Sequence, residues 1–252
     1  MPPHFEHIAF AVHEEDFLAW DRLLRGDFGG VEGMGGDAAG LGFRGVQIPY
    51  PCGGMLEILS WTVPIDPASS IVRYLERYGP RAALHHLTFL VDSIEEARDR
   101  CRELGYEFMQ GRENEHWKEI YLRAPFFEPN KMLIQVLEAD KDALRKSEAD
   151  AFRLHALDRS IAPAGVATRI VGVRMACSDV EAAVALFGSL LGATECDSVL
   201  SWPQSSMTIE LVEGGTSEDS HVVIEPPDRR APHRNREAPP AAARLFGFAT
   251  AS

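Results

Sequence analysis

An internal repeat constrains the fold of this chain more than any other feature. The segments "HIAFAV" at 7–12 and "HLTFLV" at 86–91 share the pattern His-apolar-x-Phe-x-Val. An acidic helix pattern follows each of them, "HEEDFLAWDRLLRG" after the first and "DSIEEARDRCRELG" after the second. Because similar segments at a fixed interval are the signature of a duplicated structural unit, the sequence predicts two copies of one supersecondary module.

Each copy ends in a strand-like apolar run that carries one polar residue. The run "GGMLEILSW" contains Glu57, and "NKMLIQVLE" contains Gln135. Fifty positions separate His7 from Glu57, and 49 separate His86 from Gln135. The second copy therefore follows the first at nearly the same interval, 79 positions from His7 to His86 and 78 from Glu57 to Gln135. This agreement predicts the order β-α-β-β-β in each unit, with the marked residues on the first and last strands.

The predicted fold class is α+β, built from tandem βαβββ modules. The first two modules, at about 1–66 and 80–140, are expected to pack as one half-barrel around a metal site over 1–140. A degenerate third module is expected at 166–225, where "VGVRMACSDVEAAVALFGSLLGATE" repeats the strand–helix opening. Its segments "SMTIELVEGG" and "SHVVIE" predict a later pair of strands joined by the turn-rich "GGTSEDS". Alignment on the helix places Gly172 where the first two modules have histidine.

Two further segments complete the predicted organisation. Residues 141–165, "KDALRKSEADAFRLHALDRSIAPAG", predict a highly charged helical linker. The Pro- and Arg-rich tail at 226–252 is too short for a fourth module. Its composition predicts a mostly irregular segment that is docked by Leu245 and Phe246.

A polar residue inside an apolar strand requires a partner, because burying an unpaired carboxylate is costly. If the two units pack as one curved sheet, their first and last strands bring four such side chains together, namely His7, Glu57, His86 and Gln135. Two imidazoles, a carboxylate and an amide oxygen form a ligand set suited to Zn, Ni, Co, Mn or Fe(II). Four protein ligands leave one or two positions for water or substrate. His85 is not a predicted ligand, because strand alternation turns it to the opposite face.

Composition limits the binding partners and the cellular location that are expected for this chain. Net charge is −13, from 25 basic and 38 acidic side chains, so nonspecific nucleic-acid binding is not expected. The cysteines show no CxxC spacing and are expected to be reduced thiols; they are Cys52, Cys101, Cys177 and Cys196. The N-terminal residues contain no signal-peptide pattern and the chain no membrane-span pattern, so we expect no membrane contact and a cytoplasmic location.

The two units resemble the paired modules of the vicinal oxygen chelate superfamily, which includes glyoxalase I, methylmalonyl-CoA epimerase, fosfomycin-resistance proteins and extradiol dioxygenases. The segment "SSIVRYLERYGPRAALHHLTFLVDSIEEARDRCRELGYEF" is similar to the epimerase and glyoxalase I-like branch. The segment "FFEPNKMLIQ" is similar to the turn and final strand before the last ligand of that branch. The resemblance covers about residues 4–138 well and 168–225 weakly. It implies a metal held at the four positions named above.

The resemblance also implies a reaction. The expected protein is a divalent-metal-dependent lyase or isomerase of the glyoxalase/epimerase type, acting on a small oxygen-chelating substrate such as a 2-oxo or acyl-thioester compound through a metal-stabilised enolate. One position departs from the pattern, because relatives usually carry Glu where this chain has Gln135, and an amide cannot accept a proton. Glu57 is therefore the first candidate base, and Tyr121 and His116 are further catalytic candidates. The weaker candidates are Glu115 and Asp37.

Two alternative functions stay open. The first is a non-haem Fe(II) oxygenase, in which His7, His86 and Glu57 form a 2-His-1-carboxylate set. The second is a non-catalytic, ligand-sequestering protein of the bleomycin-resistance kind. An odd third module would expose a sheet edge, so pairing with the third module of a second copy predicts a homodimer. No nucleotide cofactor is expected, since the chain has no phosphate-binding glycine loop or dinucleotide fingerprint.

Overall fold

The architecture combines two β-sheets with short helices, so the predicted α+β class is confirmed. The structure is a computed structural model that describes residues 2–38, 42–62, 64–67, 69–79, 81–127, 132–147, 168–216, 219–225 and 241–248. Eight strands form a curled half-barrel sheet, and six strands form a second sheet. Within the described residues, every helix is too short or too polar to cross a lipid bilayer.

The first unit has the predicted βαβββ order. Its strands are β1 (His4–Val12), β2 (Gly35–Ala38), β3 (Phe43–Pro49) and β4 (Met55–Trp61). The predicted helix is split into a 3-10 turn at Glu14–Asp16, α1 at Phe17–Asp21 and a π-helical turn at Arg22–Asp27. β1 lies parallel to β4, and β4, β3 and β2 pair antiparallel in turn. This pairing places the first and last strands of the unit side by side.

A helix joins the two units and covers part of the concave face. α2 (Ser70–Tyr78) lies between β4 and the next strand. Its apolar residues Ile71 and Leu75 pack in a separate small core with alanines and large side chains of β1 and β4, namely Ala9, Ala11, Leu59 and Trp61. Burial of these apolar side chains keeps water from one end of the concave face.

The second unit repeats the first. Its elements are β5 (Ala82–Leu90), α3 (Ile94–Leu104), β6 (Phe108–Asn114), β7 (Trp117–Arg123) and β8 (Leu133–Ala139), with a 3-10 turn at Pro125–Phe127. The Ser93 hydroxyl caps α3 by accepting from the N–H of Glu96, and Gly105 ends the helix at φ +76°. β5 is parallel to β8 and antiparallel to β1, which gives the order β2-β3-β4-β1-β5-β8-β7-β6. The two first strands, which carry the marked histidines, are therefore neighbours at the centre of the sheet.

The second sheet follows a short helix, α4 (Lys141–Ser147); the rest of the predicted linker lies outside the described residues. Its elements are β9 (Arg169–Cys177), α5 (Val180–Leu191), β10 (Thr194–Cys196), β11 (Val199–Ser201), β12 (Thr208–Glu213), β13 (His221–Glu225), α6 (Ala242–Leu245) and β14 (Phe246–Phe248). The strand order is β10-β11-β12-β9-β13-β14. The strands β9 to β12 with α5 form a third βαβββ unit.

The strand order of this region differs from that of a single βαβββ module. β12 and β13 do not pair with each other, because β9 lies between them. β13 is antiparallel to β9 as β5 is to β1, and β14 is parallel to β13 as β8 is to β5. The tail therefore contributes a strand, and β13 and β14 stand at the first and last strand positions of a shortened fourth unit. Because β13 occupies the free side of β9, the homodimer loses its original rationale and stays a prediction.

One hydrophobic core joins the two sheets on their convex sides. Phe5 and Phe89 of the first sheet stack with ring centroids 5.1 Å apart, and both contact Trp202. Leu245 is buried, and the Phe246 ring lies against aromatic rings of the first unit, namely Phe10, Trp20 and Phe28. The concave face of each sheet consequently faces away from the shared core.

Candidate metal centre

Three of the predicted ligands meet on the concave face of the first sheet. Ala9 on β1 lies opposite Glu57 on β4 and opposite His86 on β5, and His7 is two residues away on the same face. The His7 Nε2 atom is 3.4 Å from Glu57 Oε2, and His86 Nε2 is 3.3 Å from the same oxygen. The ligand atoms of all three lie within 4.8 Å of one another, and no other such group of His, Cys, Asp or Glu occurs in the described ranges.

These atoms fit a divalent cation. Adjacent ligand atoms around an ion with bonds of about 2.0–2.2 Å lie roughly 3–3.5 Å apart, which is the separation seen here. The His86 Nε2 atom is buried and has no hydrogen-bond partner in the part of the chain that is described. Burial alone would raise the pKa of Glu57, but the two imidazoles outweigh it and hold the pKa well below its usual range. An ionised carboxylate and an unpaired nitrogen therefore point at one position.

The His7 ring is held from both sides. Its Nδ1 atom is 3.0 Å from Glu6 Oε2, and its Nε2 atom is 2.8 Å from the hydroxyl of Thr88. Glu6 in turn forms an ion pair with Lys141 at the start of α4. Burial would raise the pKa of Glu6, but His7 and Lys141 outweigh it and lower the pKa to about 2. His7 therefore has a charged carboxylate behind it and faces Glu57 with Nε2.

Gln135 lies beside the three candidate ligands, and the hydroxyl of Thr88 connects it to His7. The Thr88 hydroxyl donates to Gln135 Oε1 over 2.6 Å, and the same hydroxyl touches His7 Nε2. The amide nitrogen donates to Glu119 Oε2 over 2.6 Å and to the Tyr121 hydroxyl over 2.9 Å. Because Glu119 accepts only, it fixes the amide with its oxygen towards the cluster. This orientation is the one that an oxygen ligand requires.

Glu119 is a site residue that the sequence did not single out. It is buried on β7, and its carboxylate also accepts from the Trp117 indole over 2.8 Å and from the Arg112 backbone N–H over 2.9 Å. Its signal was its position in "WKEIYLR", two residues before Tyr121 and so on the same face of the strand. Burial, together with Glu119 and Glu57, raises the pKa of Tyr121 well above its usual value, so the phenol stays neutral.

The remaining candidates are not brought to this cluster. His116 and Glu115 form the turn between β6 and β7, and the His116 ring lies 3.9 Å from the exposed Glu115 carboxylate. The turn precedes Trp117, the first residue of β7, whereas Tyr121 faces the centre from the middle of the strand. The side chain of Asp37 lies outside the described residues. Tyr121 is thus the predicted catalytic residue outside the ligand set that reaches the centre.

Strand alternation predicted that His85 faces the side of the sheet opposite to His86. This prediction is wrong. The register of β1 and β5 shifts between Ala9 and Phe10, which pair with His86 and Leu84. His85 is therefore the extra residue of a β-bulge, which breaks alternation. The Nδ1 atoms of His85 and His86 lie 2.8 Å apart. Burial lowers the pKa of His85 to about 3, so the ring is neutral.

Comparison with known proteins agrees with this geometry. Residues 51–136 match the model of the glyoxalase/bleomycin resistance protein/dioxygenase superfamily. This segment belongs to that superfamily. The match runs from the turn before β4 to β8 and includes Glu57, His86 and Gln135, so the resemblance recognised in the sequence is confirmed. No curated protein sequence matches the chain.

Solved structures share the fold over most of the chain. A fusion of a xylose isomerase-like TIM barrel and 4-hydroxyphenylpyruvate dioxygenase has a TM-score of 0.60 and 16% identity, over 91% of this chain and 37% of that one. A mutant of 4-hydroxymandelate synthase from Streptomyces coelicolor has a TM-score of 0.57 and 15% identity, over 90% and 72%. Methylmalonyl-CoA epimerase from Mycobacterium tuberculosis has a TM-score of 0.44 and 17% identity, over 56% and 90%. At these identities the likeness to the first two structures establishes a common fold and no reaction.

Proposed function

We propose that this chain is a divalent-metal-dependent enzyme whose ion is held by His7, Glu57 and His86. The observation that carries this proposal is the convergence of two imidazole Nε2 atoms on one carboxylate oxygen, at 3.4 and 3.3 Å, with one of those nitrogens buried and unpaired. Three ligands leave further positions for a small substrate that presents oxygen atoms. The substrate enters from the open side of the concave face, since α2 fills its other end.

The surrounding residues would position the substrate. A divalent ion in this centre would polarise a substrate oxygen or, as iron, support reactions with dioxygen. Glu119 holds the Gln135 amide with its oxygen towards the centre, where it accepts a hydrogen bond or completes the ligand set. The neutral Tyr121 phenol lies beside that amide and offers a hydroxyl to a substrate oxygen. The apolar side chains under α2 keep bulk water away from the reacting atoms.

Among possible reactions, the ligand set best supports an oxygenase. Two imidazoles and one carboxylate that leave adjacent positions open are the arrangement used by non-haem Fe(II) oxygenases. The Gln135 oxygen accepts from the Thr88 hydroxyl, and the two imidazoles and the carboxylate form such a set without it. This chemistry needs no base from the protein, which agrees with an amide at the position where relatives usually carry Glu.

A lyase or isomerase reaction is the second candidate. The observation in its favour is the polar chain of Thr88, Gln135 and Glu119, which brings a buried carboxylate close to the centre. Three N–H donors already occupy that carboxylate, which makes Glu119 a poor proton acceptor. Glu57 would then have to leave the two imidazoles in order to move a proton. A ligand-sequestering protein would use the same centre without either step.

Two assays on one preparation separate these reactions. The full chain is loaded with Fe(II) without oxygen and mixed with small 2-oxo acids and phenolic acids. Oxygen uptake that depends on iron and is lost in Glu57→Gln supports the oxygenase. Incorporation of solvent deuterium into a 2-oxo compound or acyl thioester, without oxygen uptake, would instead support an isomerase or lyase reaction and reject the oxygenase. His116→Ala serves as the matched control and should keep the activity, because His116 lies in the turn away from the centre.

A further inference from the structure

Both strands that carry a ligand histidine bulge one residue before it. In β1 the pairing with β5 shifts between Phe5 and His7, so Glu6 is the extra residue. In β5 the shift leaves His85 as the extra residue before His86. A bulge re-aims the side chains next to it, and bulges are common beside active sites. The two bulges stand at equivalent places in the repeat.

Each extra residue contacts the Nδ1 atom of the histidine that follows it. The Glu6 Oε2 atom lies 3.0 Å from His7 Nδ1, and the His85 Nδ1 atom lies 2.8 Å from His86 Nδ1. Little of either residue is exposed, 9% of the Glu6 side chain and 8% of His85. The His85 ring also packs edge-on against Tyr74 of α2, with centroids 4.5 Å apart. These contacts are therefore fixed by the fold and shielded from water.

An imidazole that binds an ion through Nε2 carries its proton on Nδ1 and must donate it. We propose that Glu6 and His85 are positioning residues that accept this proton, so that His7 and His86 are held with Nε2 towards the ion. The unpaired Nε2 of His86 and its separation of 3.3 Å from Glu57 agree with this orientation. The inference rests on the proposed metal centre, and it assigns a role to the first histidine of the His-His pair.

The two positioning residues differ in the acceptor that they offer, which makes the two halves of the centre unequal. Glu6 offers a carboxylate paired with Lys141, whereas His85 offers an imidazole nitrogen and packs against Tyr74. A carboxylate acceptor raises the electron density of its imidazole more than a neutral acceptor does. His7 is therefore expected to be the stronger of the two nitrogen ligands.

Cobalt(II) is a suitable probe, because its visible absorption reports the ligand set without any substrate. The metal-free full chain and its variants are titrated with Co(II), and a chelator competition gives each affinity. Two substitutions separate hydrogen bonding from packing: His85→Phe keeps a ring against Tyr74 but loses the acceptor, and His85→Asn loses the ring but keeps an acceptor near the Nδ1 position. We expect His85→Phe to weaken Co(II) binding roughly 10–100-fold and His85→Asn to recover most of that loss.

The opposite order, with tight binding in His85→Phe and weak binding in His85→Asn, would show that His85 only packs. Glu6→Leu should weaken binding at least as much as His85→Phe. Nitrogen-15 NMR of the unsubstituted Zn(II)-loaded chain decides the question even if the variants do not fold. A proton on Nδ1 of His86 supports the proposal, and a proton on Nε2 overturns it. Failure of the unsubstituted chain to bind Co(II) or Zn(II) would instead remove the metal centre itself.

Discussion

The six strands of the second sheet follow the same order as six strands of the first, but only the first sheet brings together a group of side chains that could hold a metal ion among the described residues. Strand register makes the comparison residue by residue. Ala9 lies opposite Glu57 and His86, and Arg174 lies opposite Glu210 and His221. The second sheet therefore retains the carboxylate and one imidazole of the first. The two sheets differ in the residues that surround this carboxylate and imidazole.

Glycines stand at the other two ligand positions of the second sheet. Gly172 occupies the place of His7, as alignment on the helix had predicted, and Gly247 occupies the place of Gln135. Gly172 has φ +153°, and a Cβ there would overlap the backbone of Thr208. A Cβ on Gly247 would overlap the ring of His221. Neither position has room for a ligand side chain in this conformation.

Arginine supplies the positive charge in the second sheet. The Arg174 guanidinium lies 3.4 Å from Glu210, the carboxylate equivalent to Glu57. In the first sheet the equivalent residue is Ala9, whose small side chain leaves room for an ion. A carboxylate on the concave face thus has a cationic partner in one sheet, and in the other it has two imidazoles that point at a space. The shared fold therefore does not by itself produce a group of side chains that could hold an ion.

The largest expected effect comes from giving the first sheet the arginine of the second. Ala9→Arg places a guanidinium beside Glu57 and should abolish metal binding, a larger loss than the roughly 10–100-fold effect of an outer hydrogen-bond partner. The fold should persist with a penalty of about 1–3 kcal/mol for overpacking. Elemental analysis measures the metal, and circular dichroism checks the fold. His7→Gly, which copies Gly172, should lose the metal without added bulk. Retention of a full equivalent of metal by both variants would show that the arginine and the glycine do not explain why the second sheet lacks such a group.

A large effect on stability is expected at Gly172. Gly172→Ala should lower the free energy of unfolding by about 2–4 kcal/mol, because the methyl group is forced against the backbone of Thr208 in a strained conformation. Gly105→Ala is the matched control, since Gly105 also has positive φ but open space around it, and about 1 kcal/mol is expected. Urea denaturation compares the two. Equal losses would mean that close packing of β9 on β12 is not what selects glycine.

A smaller effect is expected where the second sheet has Val223 in place of Thr88. Thr88→Val removes the hydroxyl that joins His7 to Gln135 and should destabilise the metal-free chain by about 1–2 kcal/mol. Metal affinity should change only a few-fold, since an ion replaces the contact of that hydroxyl with His7. Thermal unfolding with and without Zn(II) measures both quantities. Complete loss of metal would instead make Thr88 part of the ligand set.

The smallest effect is expected in the second sheet. Arg174→Ala breaks a half-exposed ion pair and should cost about 0–1 kcal/mol. It should create no metal site, because Gly172 offers no imidazole. Isothermal titration with Zn(II) compares the variant with the parent chain, and both should show the same stoichiometry. A second bound ion in Arg174→Ala would contradict the assignment of arginine as a charge substitute in a degenerate site.

The sequence predicted the part of the centre that repeats. Strand periodicity and nearly equal spacings were enough to place His7, Glu57 and His86 on neighbouring strands, because register in a duplicated sheet follows from the repeat. Gln135 was placed beside them for the same reason. The register also fixes Gly172 as the position of the missing histidine.

Features without a repeat signal could not be predicted. Glu119 has Gly45 as its counterpart in the first unit, since both lie opposite equivalent positions on the last strand, and a glycine gives no hint of a buried acid. His85 was misplaced because a bulge adds one residue without a sequence mark that distinguishes it from regular pairing. The strands β12 and β13 were both predicted, but their places in the sheet were not, because a turn sequence does not specify that a third strand lies between its flanks.

The number of divalent ions bound per chain decides whether the first sheet holds a metal. Elemental analysis of the purified chain after loading with Fe(II), Co(II) or Zn(II) should give one ion in the unsubstituted protein and none in His86→Ala, while Arg174→Ala keeps one. A chain that binds no ion, or one that keeps its ion without His86, would contradict the account of the first half-barrel as the metal-binding half of this molecule.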